Sequence, residues 1–172
     1  MGKLIVVAVI VLGGIVLWLT KPWDDGRYDN TPAGQEAKVT DSHVQQALDW
    51  TPPDKIEGRE YLGQEPDPRR DYGHLDWAEM KKLIDDLYNA GAKEVCYINV
   101  ERSVRTGDHP EGLVVILPNE PGKRQAIFTI MQPHFATAGH TAPPDVKQKY
   151  LYIGYDPERW NPQKKQAGFL PD

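Results

Sequence analysis

Five histidines, His43, His74, His109, His134 and His140, are the side chains best suited to acid–base or metal chemistry in this 172-residue sequence. His134 and His140 fall in one Gly/Pro-rich stretch, and Asp108, His109 and Glu111 fall in another. If both stretches reach one end of a sheet, His109, His134 and His140 with a carboxylate form a weak candidate zinc set, because zinc accepts imidazole and carboxylate ligands in a tetrahedral array. The H-x5-H spacing matches no strong zinc motif, and solvent-exposed loop histidines are the simpler reading.

Nucleophilic chemistry has less support. The single Cys96 stands in an apolar run, where a buried small hydrophobe is expected. One cysteine also excludes an intrachain disulfide and any C-x-x-C site. No G-x-S-x-G elbow surrounds Ser42 or Ser103, and no P-loop, G-x-G-x-x-G or C-x-x-C-H run occurs. Asp85 and Asp86 resemble a carboxylate pair, but neighbours on a helix project about 100° apart. Each also has a lysine four residues before it, Lys81 and Lys82, so the four read as a solvated face. The sequence predicts no catalytic residue and no cofactor.

Tyrosine is the remaining functional candidate. In Gln148–Tyr155 (QKYLYIGY), Tyr150 and Tyr152 share one sheet face, with Leu151, Ile153 and Tyr155 on the other. A tyrosine-bearing face left open by helices on the opposite side suits protein contacts, since the ring is apolar and the hydroxyl stays wet. The net charge of −5 gives no basic footprint, so a nucleic-acid partner is not expected.

These residues need elements to position them. Asp76 to Ala90 carries Met80, Leu83, Ile84 and Leu87 on one stripe, opens with a capping-box-like Asp76/Glu79 pair and stops before Gly91. Val95–Val100 (VCYINV) and Leu113–Leu117 (LVVIL) read as strands, joined by a long polar hairpin loop from Glu101 to Gly112. Lys123 to Gln132 fits a helix with Ala126, Ile127, Ile130 and Met131 inward and Pro133 marking its end. An edge strand near Glu60–Leu62 completes a βαββαβ order. The expected fold class is α+β: a small ferredoxin-like (split βαβ) antiparallel sheet over residues 76–156, with two helices on one face.

The ends of the chain differ from this domain. Leu4 to Leu19 is 16 residues without a charged or polar side chain. As a helix it covers about 24 Å, slightly less than a ~30 Å hydrocarbon core. Lys3 and Lys21 can snorkel, and Trp18 and Trp23 suit the interface. Residues 1–23 therefore read as a single-pass transmembrane anchor. The short head resembles a signal anchor, with the N-terminus cytoplasmic and the soluble domain exported to a periplasmic or extracytoplasmic space. Residues 24–75 carry a net −6 and read as an acidic Pro/Gly-rich tether with one short helix near 42–50. Trp50, Ile56, Tyr61 and Leu62 give that tether anchoring side chains. Residues 157–172 read as an irregular tail.

The function expected from this pattern is a non-catalytic single-span accessory or assembly subunit of a larger membrane protein complex. Its contacts would run through the span to membrane lipid and integral membrane subunits, and through Trp50, Ile56, Tyr61, Leu62, Tyr150 and Tyr152 to partners. No small-molecule ligand is expected. The alternative is an exported, membrane-anchored metal-binding or ligand-sensing domain using the His109, His134 and His140 loops.

Overall fold

The computed structural model describes residues 27–49, 55–105, 107–138 and 140–155. In chain order the elements are α1 (Pro32–Asp49), β1 (Ile56–Glu57), α2 (Gly58–Leu62), α3 (Trp77–Asn89), β2 (Glu94–Ile98), β3 (Glu101–Ser103), β4 (Gly107–His109), β5 (Gly112–Ile116), α4 (Pro121–Thr137) and β6 (Tyr150–Gly154). Residues 4–19, Trp50 and residues 157–172 lie outside the described residues. Among the described residues no helix is long and apolar enough to cross a membrane.

α3 follows from its sequence. Met80, Leu83, Ile84 and Leu87 are its buried residues, and Asp76 and Glu79 close a reciprocal capping box. The Asp76 carboxylate accepts the Glu79 N–H at 2.8 Å, and the Glu79 carboxylate accepts the Asp76 N–H at 3.0 Å. Lys81–Asp85 and Lys82–Asp86 pair on the exposed side. Such exposed i,i+4 pairs each contribute about 0.3–0.5 kcal/mol, so the buried stripe dominates.

The class is α+β, with a four-stranded antiparallel sheet in the order β1-β2-β5-β6. Val95 stands opposite Val115, and Val115 opposite Leu151, across the three longest strands. The split-βαβ expectation is corrected by this order. In that arrangement a helix joins two parallel strands with a third between them. Here the helical connections join antiparallel neighbours, β1 to β2 and β5 to β6, so the strands lie in sequence order.

The sheet has two apolar faces. One packs Val95, Tyr97, Leu113, Val115, Leu151 and Ile153 against α2, α3 and α4. The other packs Cys96, Ile98, Val114 and Tyr150 against Val44 and Ala47 of α1. Helices therefore cover both faces and not one. Strands buried on both sides read as continuous apolar runs, which is what VCYI and LVVI are.

The segment expected to be a tether is largely part of the domain. α1 has 18 residues, and its buried positions are Gly34, Asp41, Val44 and Ala47. Only two of those four are apolar side chains of the usual kind, so the stripe is faint before Val44. The edge strand is Ile56–Glu57, and Glu60–Leu62 is helical because the Glu57 side chain caps α2, accepting the Glu60 N–H at 3.0 Å. Ile56, Tyr61 and Leu62, expected to face a partner, lie in the core with 9%, 1% and 1% exposure.

The polar link between β2 and β5 is a two-stranded ribbon, β3–β4, and not a plain loop. Its base meets the preceding chain closely. Gly107 has φ +92°, and a Cβ there would stand 1.7 Å from the Arg69 carbonyl oxygen, so no other residue fits. The Asp108 N–H donates to that oxygen at 2.9 Å, and the Tyr61 hydroxyl donates to the Asp108 carbonyl at 3.0 Å.

α4 runs four residues past Pro133 instead of ending there. Its buried residues are Arg124, Ile127, Met131 and Phe135, whereas Ala126 is exposed and Ile130 half-buried. A proline inside a helix costs about 3 kcal/mol. Burial of Met131 and Phe135 on either side of it offsets that cost, at about 1.5–3 kcal/mol per large side chain.

Candidate functional site

Among the described residues β6 is an edge strand, and a groove of about 180 Å³ runs beside it. Ala33, Glu36, Ala37 and Thr40 of α1 form one wall, and His140, Thr141, Pro143 and Pro144 form the other. Tyr150, Leu151, Tyr152 and Gly154 supply the floor. The small residues Ala33 and Ala37 keep the α1 wall low, and Pro143 and Pro144 bring no backbone N–H to the far wall.

Each wall is fastened by a buried charge. The Asp41 carboxylate on α1 accepts the backbone N–H groups of Lys149 at 2.7 Å and Tyr150 at 3.2 Å, and the Tyr28 hydroxyl donates to it as well. It thereby satisfies the start of the β6 edge and ties α1 to it. Opposite, the Arg124 guanidinium forms a fork with Asp145 at 2.9 and 2.6 Å and donates to the Pro118 and Gln148 carbonyls. The Arg124 bonds hold the Asp145 carboxyl below the ordinary aspartate range, outweighing the effect of burial.

At the far end of β6 lies a polar cluster around Glu111. Glu111, between β4 and β5, accepts from His43 Nε2 at 2.8 Å and from the Tyr152 hydroxyl at 3.0 Å through one oxygen, and from the Asn99 amide through the other. Asn99 holds φ +48°, a left-handed turn that asparagine tolerates. Burial raises the Glu111 carboxyl, but bonds from Asn99, His43 and Tyr152 outweigh it and leave it below the usual glutamate range. Burial, joined by the Glu111 charge, pushes the Tyr152 phenol up, so it stays a donor.

The His43 imidazole is bonded to Glu111 and edge-on to the Tyr152 ring, 5.8 Å between centroids. The cluster joins α1, the end of β2 and β6, which is the work of a fastener. Cys96 gives no nucleophile, because burial pushes its thiol up to about 12.

The remaining histidines scatter. His109 Nδ1 lies 3.7 Å from Asp71 Oδ2, and exposed His140 lies on the groove wall. His134 pairs with His74, Nδ1 to Nε2 at 3.3 Å. The proposed set His109, His134 and His140 is thus corrected: His134 meets His74, and each of the others has different neighbours. Burial holds both the His74 and His134 imidazoles below the ordinary histidine range. Of the partner-binding candidates, Tyr150 is buried under α1 and Tyr152 is half-buried on the groove floor. The roles of Asp41, His43 and Asn99 were not legible in the sequence, because their partners, Lys149 and Tyr150 for Asp41 and Glu111 for the other two, are not chain neighbours. No family model matches the sequence, and no curated protein or solved structure matches it.

Proposed function

We propose that this protein is a non-catalytic, single-span accessory subunit of a membrane protein complex, and that its domain holds an extended segment of a partner subunit along the β6 edge. The groove beside that edge carries the reading. An edge strand offers N–H and C=O groups to a further strand, and pockets beside it take alternate side chains. Its volume of about 180 Å³ is below the roughly 300–1,000 Å³ of small-molecule sites, which favours one or two side chains of a peptide. Tyr152 on the floor offers the amphipathic surface common in protein interfaces.

The apolar run Leu4–Leu19 supports the membrane part of the reading. Both faces of the sheet are already covered by described helices, so the domain has no bare face that calls for another apolar helix. The run is then best accommodated in a bilayer, with the domain on the exported side. The alternative subunit surfaces expected from Ile56, Tyr61 and Leu62 are used within the domain itself.

The test is native co-purification from mild detergent, comparing the wild-type chain with Ala37→Arg and Lys81→Ala. Ala37→Arg fills the groove from an already half-buried site and is expected to release the partner, with the melting temperature held within a few degrees. Lys81→Ala, on the outer face of α3, is expected to retain it. Full retention of the same partner by Ala37→Arg refutes the groove as the contact.

A further inference from the structure

His74 and His134 are 60 residues apart in sequence and come from different elements. His74 lies in the turn before α3, and His134 lies in the last turn of α4. Their nearest ring nitrogens, His74 Nε2 and His134 Nδ1, are 3.3 Å apart, with centroids separated by 5.6 Å and ring planes inclined at 40°. Hydrogen bonds from nitrogen usually span about 2.7–3.2 Å, so the pair sits just beyond that range. Two imidazole nitrogens bound tetrahedrally to one zinc ion at about 2.0–2.1 Å stand about 3.3–3.4 Å apart. The two rings already have the separation of one edge of that tetrahedron.

We propose that His74 Nε2 and His134 Nδ1 form a two-imidazole site for a divalent transition metal of the zinc type, with water completing the coordination. This pair replaces the loop set His109, His134 and His140. It is independent of the β6 groove.

The backbone that carries both ligands is fixed before any ion arrives. On the His74 side, the Gly73 N–H donates to Asp71 Oδ1 at 2.8 Å. Gly73 has φ +72° and lies so near Tyr155 that a Cβ would stand 2.8 Å from its ring. Two residues further on, the capping box fixes the start of α3. On the His134 side, its carbonyl accepts the Ala138 N–H at 2.9 Å, and its neighbour Phe135 is 3% exposed in the core. These contacts fix the backbone that carries each ring, so the backbone needs little ordering on binding.

The chemistry of the pair selects the class of ion. Imidazole nitrogen suits zinc, copper and nickel, whereas magnesium and calcium require oxygen ligands. Ligation needs the neutral imidazole, the form that burial of the two rings favours. Glu79 lies on the same side, and its negative charge acts on both rings, a field that attracts a dication. Among the described residues no group of three or more His, Cys, Asp and Glu side chains is placed to hold an ion, so the described residues contribute two ligands to the site. A two-ligand site of that kind binds less tightly than a closed four-ligand site and exchanges its remaining ligands with solvent.

The experiment uses the full chain, purified without a histidine tag, stripped with chelator and titrated with Zn²⁺ alone. The expected result is one equivalent bound, with a raised melting temperature at saturation. His74→Gln and His134→Gln are each expected to weaken the dissociation constant at least tenfold, while His109→Gln and His140→Gln leave it within twofold. Imidazole nitrogen NMR on the wild-type chain guards against variants that fail to fold: two of the five histidines are expected to shift on adding Zn²⁺. Absence of saturable binding by the wild-type chain overturns the proposal. So does unchanged affinity in folded His74→Gln or His134→Gln, or NMR shifts confined to other histidines.

Discussion

The Asp41 carboxylate reaches 109 residues along the chain to the backbone N–H of Tyr150, 3.2 Å away. Through that contact a helix that the sequence hardly announces becomes the second cover of the sheet. Asp41 is 5% exposed, so its bonds to Lys149, Tyr150 and Tyr28 are what make its burial tolerable. Asp41→Ala leaves two backbone donors at the β6 edge without their acceptor. The expected loss is about 1–3 kcal/mol, since buried groups deprived of a partner incur their desolvation cost. Urea denaturation of the purified chain measures it, and hydrogen exchange in α1 should rise in parallel. Unchanged stability would place the fastening of α1 elsewhere.

The second expectation concerns the segment that looked like a tether. Tyr61 and Leu62 are 1% exposed each and pack with Met80, Leu83 and Ile84. Leu62→Ala should therefore destabilise the domain by about 2–5 kcal/mol, as large-to-small core changes do. Lys82→Ala, on the exposed side of α3, should change stability by less than about 0.5 kcal/mol. Equal melting temperatures for the two variants would contradict the placement of α2 in the core.

What the sequence disclosed and what it hid have physical reasons. α3 was legible because its four buried residues are all apolar and its cap is local, Asp76 to Glu79. β2 and β5 were legible because strands buried on both faces leave uninterrupted apolar runs, and β6 because tyrosines alternate with Leu151 and Ile153 along it. α1 was mostly hidden, since two of its four buried positions are Gly34 and Asp41, and a buried aspartate reads as a surface residue until its partners are known. The strand order was hidden because nothing local in β1, two residues long, distinguishes pairing beside β2 from pairing elsewhere. The His74–His134 meeting depends on where α4 ends, and Pro133 made that end look four residues too early.

Acid should loosen the Arg124–Asp145 wall. The Asp145 carboxyl is held below its usual range, first by its bonds from Arg124. A carboxyl lowered in the folded state adds stability above its unfolded pKa of about 3.9, and that contribution disappears as pH falls through the lower folded value. The wild-type chain should thus lose stability between about pH 5 and pH 2 more steeply than Asp145→Asn, which has no such proton to bind. Denaturation midpoints across that range test the sign. Parallel acid limbs for the two chains would remove Asp145 from the account.

The last expectation runs against the usual direction of core-adjacent mutations. Pro133 is exposed, yet it stands inside α4 with Met131 and Phe135 buried around it. Proline cannot donate to the carbonyl four residues earlier, that of Thr129, and its ring crowds that turn. Pro133→Ala restores the donor without removing any buried side chain, so it should stabilise the chain, by up to about 3 kcal/mol if α4 readjusts freely. The gain is opposed by two packed neighbours. His134 is fixed against His74, and Phe135 is seated in the core. If the backbone around Pro133 is what aims those two side chains, remaking that turn displaces them and the stabilisation falls below about 1 kcal/mol or reverses. Thermal melts of Pro133→Ala decide between a helix that merely tolerates its proline and one that uses it. Tyr155 and Phe135 ring resonances, read on the same samples, report whether the core around the His74 turn has moved.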